Sequence, residues 1–236
     1  MASSLIGGMV TAGFSAADIL VADPDDVIRA SLVERFGVKT CADNTQLEHS
    51  DIVVLAVKPQ MMKTVCQQFH PDTSKQTLFI SIAAGIRSSD ISRWLNTDSD
   101  TDQPAIVRCM PNTPSLLQCG ASGLFANETV DDEQRSQAEK IMRAVGIVVW
   151  VDEESQLDAV TAVSGSGPAY FFLMMEAMKN AGEELGLTED VAQQLVLQTA
   201  LGAARMALES DISPASLREN VTSKGGTTEQ AILSFQ

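Results

Sequence analysis

Aromatic residues are scarce in this chain of 236 residues: Phe, Trp and Tyr together make up 5%. With so few rings, the core must be assembled from Leu, Val, Ile, Ala and Met. No apolar run reaches the roughly 20 residues that span a bilayer, and no basic-then-apolar leader opens the chain, so neither a membrane-spanning nor a secreted protein is expected. Basic residues are also few. Sixteen Lys and Arg against 31 Asp and Glu leave a formal charge of −15, which argues against nucleic acid or an anionic membrane surface as the main partner. An anionic ligand must then be held by local donors working against the overall field. The four cysteines (Cys41, Cys66, Cys109 and Cys119) form no C-x-x-C pair and no metal-ligand spacing with His49 or His70. Buried free thiols, no metal site and a reducing cytoplasm are the expectation.

What the chain does have is an alternation of short apolar runs with helical stretches up to about residue 150. The runs are Ile19 to Ala22, Ile52 to Val57, Leu78 to Ala83, Ala105 to Cys109 and Ile147 to Val151. Their apolarity is continuous, as parallel strands covered on both faces require. Helical patterns over 24–36, 60–69 and 131–144 lie between them, which predicts a doubly wound parallel sheet of Rossmann-like α/β class. Asp98 to Asp102 reads as a short solvated loop. After Asp152 the strands stop, and 153–209 reads as nearly continuous helix, broken at Gly165-Ser166-Gly167-Pro168 and Gly186-Leu187-Thr188. The expected organisation is therefore a dinucleotide-binding domain over 1–152 and an all-α domain over 153–236. Val191 to Leu208 is apolar around most of its circumference, more than a small helical domain can cover alone, so a subunit interface is expected there. The chain opens directly on a helix, Ala2 to Val10, without the strand and glycine-rich turn that normally begin such a sheet. The order fits a sheet lacking its first strand.

Individual residues carry chemistry. Lys58 follows a strand at the edge where open α/β sheets receive ligands, with Pro59 opening the next helix; a surface lysine on a tight turn is the plain alternative. Asp23 follows the next-to-first strand of such a sheet, where a carboxylate accepts from an adenosine ribose. It also suits a helix cap with Pro24 at the first helical position, and both readings can hold together. Asp25 and Asp26 are acidic and Arg29 is the first basic residue, an environment that repels a 2′-phosphate and favours NADH. Ser164 to Tyr170 is a glycine-rich turn entering a helix through Pro168, either a domain hinge or a helix start whose amides bind an anion. Thr227 followed by Gln230 matches a capping box, making Thr227 the cap and leaving the Thr228 hydroxyl uncommitted at the first helical position. Gly225 and Gly226 allow a nest of inward-turned amides suited to a carboxylate.

Four segments, Ala56-Val57-Lys58-Pro59, Arg108 to Pro114, Ser164 to Tyr170 and Thr222 to Thr228, occur in the order and at the separation of pyrroline-5-carboxylate reductases. The chain resembles that family over essentially its whole length, with Lys224 where the family commonly has proline. The resemblance implies reduction of 1-pyrroline-5-carboxylate to proline with NADPH or NADH, in an active site between the two domains. Beside Asp23, it carries Asn44, Ala56, Val57, Lys58, Pro59, Ala83, Ala84, Gly85 and Asn112 over as cofactor neighbours, the turn taken as Ser81 through Gly85. Ser164, Ser166, Ser223, Gly225, Gly226 and Thr227 become substrate-binding residues, and Thr228 the catalytic hydroxyl beside the ring nitrogen. It further implies a homodimer that assembles into decamers, and places the family's first strand and last helix outside this sequence. A rival reading is a catalytically impaired binding or oligomerisation remnant. A hydroxyacid dehydrogenase of similar architecture is disfavoured, since the lysine nearest the glycine turn is Lys179, far beyond one helical turn.

Overall fold

The computed structural model describes residues 1–69, 76–95 and 103–234, so the loop expected at Asp98 to Asp102 lies outside the described residues. The chain forms two compact units, Met1–Pro168 and Ala169–Gln236.

The first unit is α/β. In chain order it contains α1 (Ala2–Thr11), β1 (Leu20–Ala22), α2 (Asp26–Phe36), β2 (Lys39–Cys41), β3 (Ile52–Leu55), α3 (Pro59–Cys66), β4 (Leu78–Ser81) and α4 (Ser88–Leu95). It continues with β5 (Ala105–Met110), β6 (Gly120–Ala126), α5 (Asp132–Arg143), β7 (Gly146–Trp150) and the short α6 (Gln156–Val160). Strands β3, β4 and β5 pair in parallel, and β7 is parallel to β6. The expectation of a parallel sheet throughout is corrected at one ladder: β6 runs antiparallel to β5. Only Pro111 to Cys119 separates them, too short for the crossover helix that a parallel return needs. β1 and β2 form their own parallel pair, and among the described residues β1 and β3 do not share a ladder. Among the described residues the strands thus form a two-stranded and a five-stranded sheet, divided between β1 and β3.

Apolar side chains cover both faces of the five-stranded sheet. On one face Leu78, Ile80, Val107 and Leu124 pack with Leu5 of α1 and Ala138 and Met142 of α5. On the other, Val53, Leu55, Phe79 and Ile106 pack with Met62 and Cys66 of α3 and Ile91 and Leu95 of α4. The period-2 alternation of β4 divides Leu78 and Ile80 from Phe79 between the two faces. Each such side chain, wholly withdrawn from water, contributes about 1.5–3 kcal/mol of transfer free energy. The aliphatic core expected from the composition is thus the core observed. Helix α5 is started by Asp131 and Gln134 in a reciprocal capping box.

The second unit is helical, with the long part of α7 (Gly167–Glu184), then α8 (Glu189–Glu209), α9 (Pro214–Asn220) and α10 (Thr227–Leu233). Its helices present bare apolar side chains: Phe171 and Phe172 of α7 are 68% and 62% exposed, and Leu201 and Met206 of α8 are 54% and 58% exposed. A single chain leaves this surface in water, which agrees with the interface expected over Val191 to Leu208. No helix of the described residues is long and apolar enough to cross a membrane.

Candidate active site

Each residue expected near the cofactor stands just beyond the carboxyl end of a parallel strand of the first unit: Asp23 after β1, Asn44 after β2, Ala56 to Pro59 after β3, Ala83 to Gly85 after β4, and Asn112 after β5. This is the edge at which open α/β sheets receive ligands. Lys58 ends an extended segment as the N-cap of α3, with Pro59 at the first helical position as expected. It is exposed and has no ion-pair partner among the described residues.

Two of these side chains are engaged otherwise than expected. Asp23 does not cap α2. Asp25 does, accepting from the Val27 and Ile28 amides at 2.8 and 3.3 Å, and the helix begins at Asp26 rather than Pro24. The Asp23 carboxylate instead accepts from the Asp25 amide at 2.9 Å, closing the turn that delivers Asp25 to the helix. Arg29 folds back so that its Nη1 donates to the Asp23 carbonyl at 2.6 Å, bringing a cation to the end of β1. Asn112, expected to offer its amide to the nicotinamide, is buried and ties loops together. Its Nδ2 donates to the Ser164 carbonyl at 3.1 Å, and its Oδ1 accepts from the Ala121 amide at 2.9 Å. Asn44 Nδ2 donates to Gln68 Oε1 at 2.7 Å.

The segment 164–168 runs from helix into helix, and the boundary between the two units falls at its end, after Pro168. Thr161–Gly165 is a turn of π-helix that joins α6 to α7, a distortion common at functional sites. The Ser166 amide donates to the Thr161 carbonyl at 2.8 Å, and Ser164 Oγ donates to the Val160 carbonyl at 3.0 Å. The Ser166 hydroxyl has no partner among the described residues. Gly123 lets β6 receive the end of α6: a Cβ there would lie 2.6 and 2.7 Å from the two methyl carbons of Val160. That rigid support fixes where Ser164 and Ser166 stand.

In the second unit the expected capping box is replaced. Gly226 is the N-cap of α10, so Thr227 and Thr228 occupy the first two helical positions. The Gly226 amide donates to the Ser223 carbonyl at 3.0 Å, and the Gly225 amide to Glu229 Oε2 at 2.8 Å. A carboxylate of the chain itself thus sits on one amide of the nest. Thr227 and Thr228 keep the amides at the helix start, which have no intrahelical acceptor. The Ser223 and Thr228 hydroxyls make no hydrogen bond among the described residues.

One pair escaped sequence reasoning. Arg108 of β5 is buried, 7% exposed, and its Nη1 lies 3.0 Å from Glu154 Oε1. The same oxygen accepts from the Ser88 amide at 2.6 Å. Burial alone would raise the Glu154 pKa, but the Ser88 and Arg108 hydrogen bonds and the Arg108 charge outweigh it and hold the carboxyl below its ordinary range. The signal was a charge inside the apolar run Ala105 to Met110, since a buried guanidinium demands a carboxylate partner. Among the described residues no cluster of His, Cys, Asp and Glu could hold a metal ion. All four cysteines are free; Cys66 and Cys109 are buried as expected, whereas Cys119 is exposed.

Comparison with known proteins agrees with this layout. Residues 1–85 match the family described as NADP oxidoreductase, coenzyme F420-dependent, and residues 154–236 match pyrroline-5-carboxylate reductase dimerisation. Together with the sheet edge, the two matches define the class: an oxidoreductase with a Rossmann-like nucleotide-binding part followed by a helical dimerisation part. A pyrroline-5-carboxylate reductase of Pseudomonas aeruginosa is 53% identical over 238 residues, spanning 100% of this chain and 85% of its own length. A solved pyrroline-5-carboxylate reductase from Coxiella burnetii superposes with a TM-score of 0.91 at 47% identity, over 99% of this chain and 86% of that one. The Plasmodium falciparum pyrroline carboxylate reductase, solved with NADP bound, has a TM-score of 0.83 at 29% identity over 98% and 84%. The chain belongs to the pyrroline-5-carboxylate reductase family.

Proposed function

We propose that the chain reduces 1-pyrroline-5-carboxylate to L-proline, with NAD(P)H as hydride donor, in proline biosynthesis. The observation that carries this is the 53% identity to the Pseudomonas aeruginosa reductase across the whole chain. A remnant without catalysis is not favoured by identity of that extent.

The residues at the strand ends fit a dinucleotide. Exposed backbone at Ala84 and Gly85 and the unpaired Lys58 ammonium stand beyond the carboxyl ends of neighbouring strands β3 and β4. When bound there, NAD(P)H supplies the hydride. Lys58 and the Ala56–Pro59 and Ala83–Gly85 turns would hold it, with Asp23 toward the adenosine ribose. Acids at Asp23, Asp25 and Asp26 favour NADH, whereas the Arg29 guanidinium against the Asp23 carbonyl favours a 2′-phosphate. The ratio of kcat/KM values for the two cofactors decides between them.

Substrate is held by its carboxylate and its ring nitrogen. The Thr227 and Thr228 amides donate to the carboxylate, with Ser223 as a further hydroxyl partner. Gly225 and Gly226 shape the bend; the Gly225 amide becomes available only when Glu229 leaves it. The Thr228 Oγ accepts a hydrogen bond from the protonated ring nitrogen and so favours the iminium form. An iminium carbon is already electrophilic and accepts the hydride without a further general acid, while the nitrogen keeps its proton. Rate then comes from positioning and fixed dipoles.

The helical part pairs two copies of the chain. Its family match is a dimerisation segment and its apolar helix faces are bare in one chain. Four free thiols suit the reducing cytoplasm. The test is proline formation from pyrroline-5-carboxylate by the purified protein with either cofactor: turnover is expected, and none with both would refute the reading.

A further inference from the structure

Along the α3/α4 face of the sheet, β5 presents three residues of different character in succession. Ile106 lies in the apolar core with Phe79, Ile91 and Leu95. Arg108, two residues on, meets Glu154. Met110, two further, places its methyl end beside Gly165 of the π turn. The charged pair therefore sits between the core and the glycine turn.

Glu154 Oε1 takes two donors from different elements, Arg108 Nη1 of β5 and the first amide of α4, that of Ser88. Ser88 ends the short connection 82–87 that leaves β4 through Gly85, whose φ of 74° is left-handed. At its β4 end the connection is held by the Ile82 amide on the Leu55 carbonyl and by buried Ala83, and Ile86 packs against the core, whereas Ala84, Gly85 and Arg87 are exposed. Glu154 itself lies in the segment between β7 and α6, just ahead of the π turn that carries Ser164. One carboxylate thus fixes the end of the β4–α4 turn, the last residues of β5 and the root of the α6 segment.

We propose that Arg108 and Glu154 are positioning residues of the reductase: they hold the Ala83–Gly85 turn in the conformation that binds the dinucleotide and set it at a fixed distance from the Ser164–Ser166 turn. This rests on the reading of Ala83–Gly85 as a cofactor turn. Buried charge is an expensive way to stabilise a sheet, since apolar residues of similar volume do as well or better. Its use here, where the β4–α4 and π turns meet a strand end, is accounted for by geometry that apolar packing would not specify. A shift of this turn by a fraction of an ångström acts through cofactor binding first.

The test compares Glu154→Gln, which keeps the shape and removes the charge, with Ala84→Glu, which places bulk and negative charge on the turn itself. Glu154→Gln is expected to raise the KM for the preferred cofactor roughly tenfold, about the loss of one charge-assisted hydrogen bond, while kcat and oligomeric state stay near wild type and the thermal midpoint at neutral pH falls only slightly. Arg108→Lys, which keeps the charge but not the reach of the guanidinium, should recover part of the loss shown by Arg108→Met. An unchanged cofactor KM in Glu154→Gln, with a raised KM in Ala84→Glu, would overturn the positioning role and leave the cofactor turn standing. An unchanged KM in Ala84→Glu would overturn the cofactor turn and the proposal with it. A raised cofactor KM in Glu154→Gln that comes with a large fall in both kcat and thermal midpoint would mark the pair as merely structural and overturn the proposal.

Discussion

The side-chain amide of Asn112 spans 52 positions of sequence to donate to the Ser164 carbonyl at 3.1 Å, and its oxygen meanwhile receives the Ala121 amide at 2.9 Å. One buried side chain therefore ties the end of β5, the start of β6 and the π turn together. Asn112→Ala leaves the Ala121 amide and the Ser164 carbonyl without that partner, each loss costing about 1–3 kcal/mol. The expected result is a lowered thermal midpoint with a raised KM for pyrroline-5-carboxylate; Asn112→Asp, which keeps an acceptor for Ala121, should lose less stability.

Glu229 occupies the Gly225 amide with the same chemical group that the substrate would bring. Removing a competitor for one hydrogen bond is worth on the order of 1 kcal/mol, or about fivefold in affinity. Glu229→Ala is accordingly expected to lower the KM for pyrroline-5-carboxylate by up to about that factor. Measured at several salt concentrations, the gain should shrink as salt screens the carboxylate.

Glu154 gives the fold an acid-side dependence whose sign is fixed. Its folded pKa lies below the ordinary value of 4.5. The stabilisation is therefore present above that value and is lost as pH falls through the lowered folded pKa. Thermal midpoints of wild type and Glu154→Gln should differ by a constant amount from neutral pH down to about pH 5, then converge in more acid solution.

Thiol reactivity should follow burial. Desolvation pushes Cys66 up to about 11 and Cys109 up to about 12. A thiol reagent at pH 8 is expected to modify exposed Cys119 in the native protein and to reach Cys66 and Cys109 only on unfolding.

The strands that were legible in the sequence are those made of apolar runs: β1, β3, β4, β5 and β7. Strand β2 is three residues, Lys39-Thr40-Cys41, at an edge, too short and polar to announce itself. Strand β6 opens Gly-Ala-Ser-Gly, with Gly120 closed in by Ser115 and Val145 and Gly123 by Val160 of α6, and small residues carry no strand signal. Positions of the turns expected near the cofactor were legible because each follows a strand. Their internal bonding was not. Whether Asp23 or Asp25 caps α2 depends on which carboxylate reaches the amides of the first helical turn, and whether Thr227 caps α10 depends on where Glu229 folds back. The Arg108–Glu154 pair joins residues 46 positions apart, a contact that only the fold creates.

The central claim is that the Thr228 hydroxyl serves the ring nitrogen of the substrate while the amides at the start of α10 serve its carboxylate. Steady-state kinetics of proline formation by Thr228→Ala test it most directly. The account predicts a fall in kcat of about tenfold or more, with cofactor KM and thermal midpoint unaltered; a kcat equal to that of the wild type would contradict it.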